Sequence, residues 1–379
     1  MTIDTLTIII GAALIGLSLF SVVFTPLIRK PRKDKTDRQN QNDFPSISIV
    51  LAVHDGEEEI ERNLPKFLTQ DYEGQFEVIV VDESSTDNTA EVLKRLKNNY
   101  HNLYTTFIPD SSHYISRRKL ALTVGVKAAK HDWIIFSDAD CSPADDKWLR
   151  AMAAKCDNDT ELVIGATRYH SDATDYQRLE RLMTWWREAY ETQHRQVFTY
   201  SGHNMMFRRE KFVKDNGFLN SLMYLRGEYD FLANEYGETM KTVVAAEPQA
   251  TLIEDAPSKK TWINDHLYHI ETRKHLKHGR LYKTLENADT FMLHLNLTCH
   301  IAVIALATVT GNYILCAAAA LSLLVNYLIR VIIAGNAMRA ANETISPMKI
   351  PFLESFMAWR NLSLKIKHSK CDKYDFIRR

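Results

Sequence analysis

Two carboxylates one residue apart, Asp138 and Asp140, directly follow the apolar run Trp133-Ile134-Ile135-Phe136-Ser137. At a strand end such a pair can jointly hold a hard divalent cation, Mg²⁺ or Mn²⁺, which prefers oxygen ligands and is often shared with substrate phosphates. The cation would neutralise a diphosphate leaving group. Alone, an Asp-x-Asp motif reads equally as a solvated loop or as a cap for a helix starting near Pro143. The buried-strand sequence before it is what favours the metal. A second acidic pair, Asp82-Glu83, ends the run Val78-Ile79-Val80-Val81. Carboxylates there can accept hydrogen bonds from a base N–H or ribose hydroxyls. Asp87 or Thr89 just beyond would cap the following helix. A third polar cluster, His54-Asp55-Gly56-Glu57, follows Ser46-Ile47-Ser48-Ile49-Val50-Leu51-Ala52-Val53.

The elements that must position these clusters alternate. Strands are expected at 46–53, 76–81, 103–108 and 133–136, and helices at 57–68, 90–98 and 119–130. Strand–helix alternation implies an α/β fold with a mostly parallel sheet covered on both faces. Ligands of such sheets bind beyond the carboxyl ends of the strands, which is where the three clusters stand.

Taken in order and spacing, residues 46–283 resemble glycosyltransferase family two. The family's Y-N-G-E is His54-Asp55-Gly56-Glu57 here, and its V-D-D-G-S-T-D is Val81-Asp82-Glu83-Ser84-Ser85-Thr86-Asp87. Its K-x-x-A-L-x-x-G helix resembles the segment from Lys119 to Gly125, and its G-x-N-x-x-x-R segment resembles Gly202-His203-Asn204-Met205-Met206-Phe207-Arg208. The resemblance implies a GT-A-like nucleotide-sugar-binding domain, a nucleoside-diphosphate sugar donor and Mg²⁺ or Mn²⁺. It implies that Glu57, Asp82 and Glu83 hold the nucleoside, that Lys119 reaches the diphosphate, and that Asp138 and Asp140 frame the sugar-diphosphate and metal. The family's acidic element falls on Arg226-Gly227-Glu228-Tyr229-Asp230, with Glu228 at the catalytic-base position and Asp230 as the alternative. An inverting transfer needs such a base to take the acceptor hydroxyl's proton. The departures are His54, Asp55, Ser84 and Glu228, mostly conservative in charge. The Q-x-x-R-W of processive members is absent. In its region stand Arg273 and Lys274, suited equally to phosphate or to anionic headgroups, with Trp262 upstream. Trp185-Trp186 reads as packing rather than sugar stacking.

Residues 5–28 are uncharged and apolar, about 24 residues where about 20 suffice to span a bilayer. Arg29, Lys30, Arg32, Lys33, Lys35 and Arg38 follow, so an uncleaved anchor with an external N-terminus is expected. Residues 290–327 suit a helical hairpin turning at Thr310-Gly311-Asn312. His294, Asn296 and His300 at helical spacing are expected to bond helix to helix, with a lipid-substrate surface as the alternative.

The organisation expected is an anchor at 1–30, a basic linker at 31–45, a catalytic domain at 46–288, a hairpin at 289–334 and a cytoplasmic tail at 335–379. Lys plus Arg and Asp plus Glu both total 47 in 379 residues, so no global charge favours nucleic acid. Five widely spaced cysteines without a C-x-x-C argue against a disulfide framework or zinc site. The function expected is a multi-pass bacterial inner-membrane enzyme with a cytoplasmic catalytic domain. It would move a sugar to a lipid-linked or membrane-proximal acceptor. The rivals are a processive polysaccharide synthase and an inactive nucleotide-sugar-binding membrane protein.

Overall fold

The computed structural model describes residues 4–32, 44–109, 116–237 and 242–377. Most of the expected basic linker (33–43) lies outside them. The first half of the chain runs α1 (Thr5–Val22), β1 (Ile47–Val53), α2 (Glu57–Leu68), β2 (Phe76–Asp82), α3 (Thr89–Asn99), β3 (Leu103–Phe107), α4 (Arg117–Ala128), β4 (Trp133–Asp138), β5 (Cys141–Pro143), α5 (Trp148–Ala153), β6 (Leu162–Gly165), β7 (Thr167–Tyr169) and α6 (Asp175–His194). The second half runs β8 (Met205–Arg208), α7 (Arg209–Lys214), α8 (Glu228–Tyr236), β9 (Thr242–Ala245), β10 (Leu252–Glu254), α9 (Lys259–His275), α10 (Arg280–Val309), α11 (Tyr313–Ala341) and α12 (Ile350–Ser369). These form two compact units. One comprises residues 31–279 and 364–379, the other residues 1–30 and 280–363.

The first unit is α/β. Seven strands lie in the order β3-β2-β1-β4-β8-β6-β9, and the first four are mutually parallel. Every residue of β1 and β4 is buried, as in strands covered on both faces. Helix α2 packs Ile60, Leu64, Phe67 and Leu68 on this sheet, the three-and-four spacing of one helical face. Helix α4 comes closer still: a Cβ on Gly125 would stand 2.3 Å from a Val50 methyl. Val53 pairs with Asp82 and Ala52 with Asp138, so β2, β1 and β4 end level and their carboxylates share one rim. The chain leaves β1 for β2 on one side and pairs it with β4 on the other, which places the ligand crevice of a doubly wound sheet at this rim. A three-stranded sheet, β5-β10-β7, pairs Glu254 with Cys141 and brings the end of β10 beside Asp140. Residues 364–377, expected to belong to a tail, pack in this unit: Phe376 and Ile377 bury with Leu267, and Tyr224 bridges to Ile377.

The second unit is helical. Its α1, α10 and α11 are each long and apolar enough to cross a membrane. The hairpin turns at the expected place, with Gly311 at φ +69, but its helices run well beyond the expected 289–334. Between them runs a polar ladder. Ser18 donates to Asn296 at 3.2 Å, Ser322 donates to Ser18 at 2.9 Å, and Asn326 donates to the Ser18 carbonyl at 2.6 Å. The His300 ring lies 3.1 Å from the Ser322 hydroxyl. Asn296 and His300 thus bond helix to helix as expected. His294 does not; its Nδ1 faces its own helix's Thr290 carbonyl.

Candidate active site

The first and second strand ends are laced by their own loops. Asp55 accepts the Thr86 amide at 2.6 Å, the Gly56 amide donates to Thr89 at 3.0 Å, and the Glu57 amide donates to Asp87 at 3.0 Å. Asp55 and Ser84 take φ of +48 and +61, the region where family two's glycine would be unstrained at position 84. Asp82 accepts the amide and hydroxyl of Ser85, at 2.8 and 2.6 Å. Glu83 is buried, and burial pushes its carboxyl up against the pull of Arg118 and Arg226. The Glu57 carboxylate accepts from Asn88 at 3.0 Å. Glu57, Asp82 and Glu83 therefore share one rim, as the sequence suggested.

Asp138 ends β4 inside a ring of donors. Tyr229 donates to it at 2.7 Å, Arg118 pairs with it, and His203 Nε2 lies 3.6 Å away. Burial pushes its carboxyl up, but Arg118 and His203 outweigh burial and hold it below the usual range. Glu254 pairs with Arg181 and lies 3.4 Å from His203 Nδ1. Held between two carboxylates, the His203 imidazole is pushed up to about 9, although burial alone would lower it. For Asp140 the pull of His203 and Arg118 is outweighed. Burial, Glu254 and Asp138 push it up to about 7.

The cation supplied by α4 differs from the expected one. Lys119 is fully buried, and its ammonium donates to the carbonyls of Ser221 and Tyr224 at 2.7 and 2.8 Å. Burial pushes its pKa down to about 8. It ties down the loop before α8. Counted back from Gly125, the pattern K-x-x-A-L-x-x-G puts Arg118 in its first position, and Arg118 is the side chain facing Asp138.

Glu228 and Asp230 open α8 and point opposite ways, since two residues turn a helix by about 200°. Gly227 before them has φ +92, and a Cβ there would stand 2.7 Å from the Thr272 methyl, so only glycine fits. Glu228 is buried with Oε1 unbonded, within electrostatic reach of Arg118 and Glu83. Asp230 is saturated. It accepts from the Thr199 hydroxyl, from the Tyr200 amide at 3.2 Å and at His269 Nδ1 across 2.8 Å. Arg273 belongs to this second group: its Nε donates to Thr199 at 3.4 Å, and its Nη2 lies 3.8 Å from Glu188. It is engaged beside Asp230, not beside Asp138. Trp185 and Trp186 are buried, as packing requires.

Ligand atoms of Asp140, Cys141 and His203 lie within 4.8 Å of one another. The Asp140 oxygen suits Mg²⁺ or Mn²⁺, and a cation would offset the negative charge crowded around it; the His203 imidazole, held between Asp138 and Glu254, would have to release its proton before joining. The Cys141 thiol, one of five free thiols, is pushed well up by burial and neighbouring carboxylates and stays protonated. Asp138 is committed to Arg118 and Tyr229, so of the two expected ligands Asp140 fits the role better. Sequence reasoning missed Arg118, His203 and Glu254. The register of the helix motif held the signal for Arg118, and the second residue of Gly202-His203-Asn204 that for His203; no local motif marks Glu254.

Residues 48–214 match the family model for glycosyl transferase family 2. Over those residues the chain is similar to family 2 glycosyltransferases. The poly-β-1,6-N-acetyl-D-glucosamine synthase of Staphylococcus aureus is 31% identical over 117 residues, 31% of this chain and 27% of that protein. Glycosyltransferase AglE of Haloferax volcanii is 27% identical over 128 residues, 33% of this chain and 40% of that one. This chain thus spans about a quarter of the length of the staphylococcal synthases it matches. In fold it resembles the mannosyltransferase PcManGT of Pyrobaculum calidifontis, solved with GDP-mannose and Mn²⁺. The likeness covers 96% of this chain and 98% of that one, at 19% identity and a TM-score of 0.59. The α/β, GT-A-like fold expected from the strand-end motifs is therefore the observed one.

Proposed function

We propose that this protein is a membrane-bound, inverting glycosyltransferase using a nucleoside-diphosphate sugar. The observation that carries the reading is the unbonded, buried Oε1 of Glu228 at the rim shared by Asp138 and Arg118. In this reading the acceptor hydroxyl oxygen attacks the anomeric carbon while the bond from that carbon to the diphosphate oxygen breaks. Glu228 takes the hydroxyl proton, and the nucleoside diphosphate leaves with the bonding pair. Glu57, Asp82 and Glu83 hold the nucleoside, and Arg118 takes the phosphate-facing role expected of Lys119. Asp140 would hold the divalent cation, with His203 joining only once deprotonated, and the cation would supply charge neutralisation at the diphosphate. Asp230, saturated by three donors, braces α8 rather than abstracting a proton.

Three apolar helices support a membrane location with an acceptor that is lipid-linked or membrane-proximal. The basic residues after residue 28 support a cytoplasmic catalytic unit in a bacterial inner membrane, with the N-terminus outside. The staphylococcal relatives' name favours a second reading, a processive synthase; the missing Q-x-x-R-W weighs against it. The test is release of nucleoside diphosphate from a panel of nucleotide sugars by purified protein with Mn²⁺. Turnover supports the enzyme; tight binding without turnover supports the inactive binding protein.

A further inference from the structure

Helix α12 is apolar on two opposite faces. Ile350, Met357 and Leu364 are buried on one. Between them Glu354 pairs with Arg330 at 2.8 Å and accepts from Thr25 at 2.9 Å. On the other face Phe352, Phe356, Trp359, Leu362 and Ile366 recur three and four residues apart, each between 49 and 68% exposed. A contiguous stripe of this kind marks a contact surface rather than a water-facing one.

Two ring contacts within the helical unit fix the direction of α12. Phe352 lies 5.7 Å from Tyr327 of α11, and Trp359 lies 5.9 Å from His294 of α10. Tyr327 stands 14 residues after Tyr313, where α11 begins, and His294 stands 15 before Val309, where α10 ends. At about 1.5 Å per residue both contacts lie about 21–22 Å from the Gly311 turn. They are therefore level, and α12 runs across the two candidate spans instead of along them. A hydrocarbon layer of about 30 Å measured from that turn would put these contacts about 8 Å inside its inner boundary, within the depth that the apolar face of an interfacial helix reaches.

Charge identifies the occupant. Residues 349–371 hold five basic side chains, Lys349, Arg360, Lys365, Lys367 and Lys370, against one carboxylate, Glu354, which Arg330 already neutralises. The segment's own charge is positive, which suits anionic headgroups.

We propose that α12 is an interfacial helix, with Phe352, Phe356 and Trp359 among phospholipid acyl chains and its basic residues on anionic headgroups. This rests on reading α10 and α11 as spans, and it goes beyond the sugar-transfer reading. It also replaces the expected cytoplasmic tail, for this part of 335–379, with a membrane-lying element.

The test places the photoreactive residue benzoylphenylalanine at position 359, 365 or 324 of the full chain. Each variant is reconstituted in vesicles of phosphatidylethanolamine and phosphatidylglycerol, irradiated and weighed by mass spectrometry. Position 359 should give a phospholipid adduct enriched in phosphatidylglycerol above its share, with about tenfold less at Lys365. A crosslinked dimer at 359 would overturn the proposal in favour of a second copy of the chain. Absence of any adduct there would overturn it in favour of an aqueous face. Leu324, exposed on α11, separates the two levels. Lipid adduct at 324 without one at 359 removes only the α12 assignment; none at either removes the span reading with it.

Discussion

The strand-end rim and the helical unit bury charge in opposite ways. At the rim Asp138, Asp140 and Glu254 crowd together with Glu228 in reach of the same arginine. Asp140 is pushed up to about 7, and Glu228 keeps an oxygen unbonded. In the helical unit both oxygens of Glu354 are engaged, by Arg330 and Thr25. An unpaired buried polar group costs free energy that a paired one recovers in part. The rim therefore holds a carboxylate oxygen open to a ligand, whereas the Glu354 carboxylate is already paired through both oxygens. Removing a rim carboxylate should cost activity and little stability; removing the buried arginine should cost stability.

The largest effect expected is at Asp140. Asp140→Ala should lower sugar transfer by about a thousandfold, because several kcal/mol of charge stabilisation disappear with the cation. Its thermal unfolding should be unchanged or slightly raised. A variant that unfolds early, with its activity per folded molecule intact, would break the comparison. Next is Arg330→Met, which strands Glu354 and should destabilise the chain by about 3–5 kcal/mol. Adding Glu354→Leu should restore most of that. Denaturation of both variants in detergent micelles checks it, and equal losses in the single and double variants would contradict the pairing. Asp230→Asn should cost about 1–3 kcal/mol of stability through its lost hydrogen bonds. Its kcat should stay within about tenfold of the parent, since a bracing carboxylate is not the proton acceptor.

The smallest effect is one of pH. A carboxyl pushed up to about 7 is protonated below that pH, and the proton competes with the cation. Mn²⁺ affinity should therefore fall as pH falls, by about tenfold between pH 8 and pH 6. Calorimetric titration of Mn²⁺ measures it, and a flat profile would remove Asp140 from the ligand set.

Local signals were well read. β1, α2, β2, α3 and β4 lie within two residues of their expected bounds because each is a short apolar run or a single-faced helix. Asp82, Glu83 and Asp138 stand at strand ends, which the sequence marks by an abrupt change from β-branched to acidic residues. Contacts set by topology were not legible. Glu254 reaches Asp140 only because β10 pairs with β5, Ile253 standing opposite Ser142, 111 residues earlier. Lys119 and Arg118 are adjacent, and one step around α4 decides which faces the loop and which faces Asp138. Helix α12 escaped notice because its apolar residues lie on two faces, which dilutes the single-stripe pattern. Its basic residues then read as an ordinary tail.

The central claim is that Glu228 takes the acceptor's proton, and Glu228→Gln tests it most directly, because glutamine keeps the shape and cannot accept a proton. The measurement is kcat with donor and acceptor both saturating, alongside the donor Kd. The predicted result is an unchanged Kd with kcat lowered by about a hundredfold or more. A kcat near that of the parent would contradict the assignment.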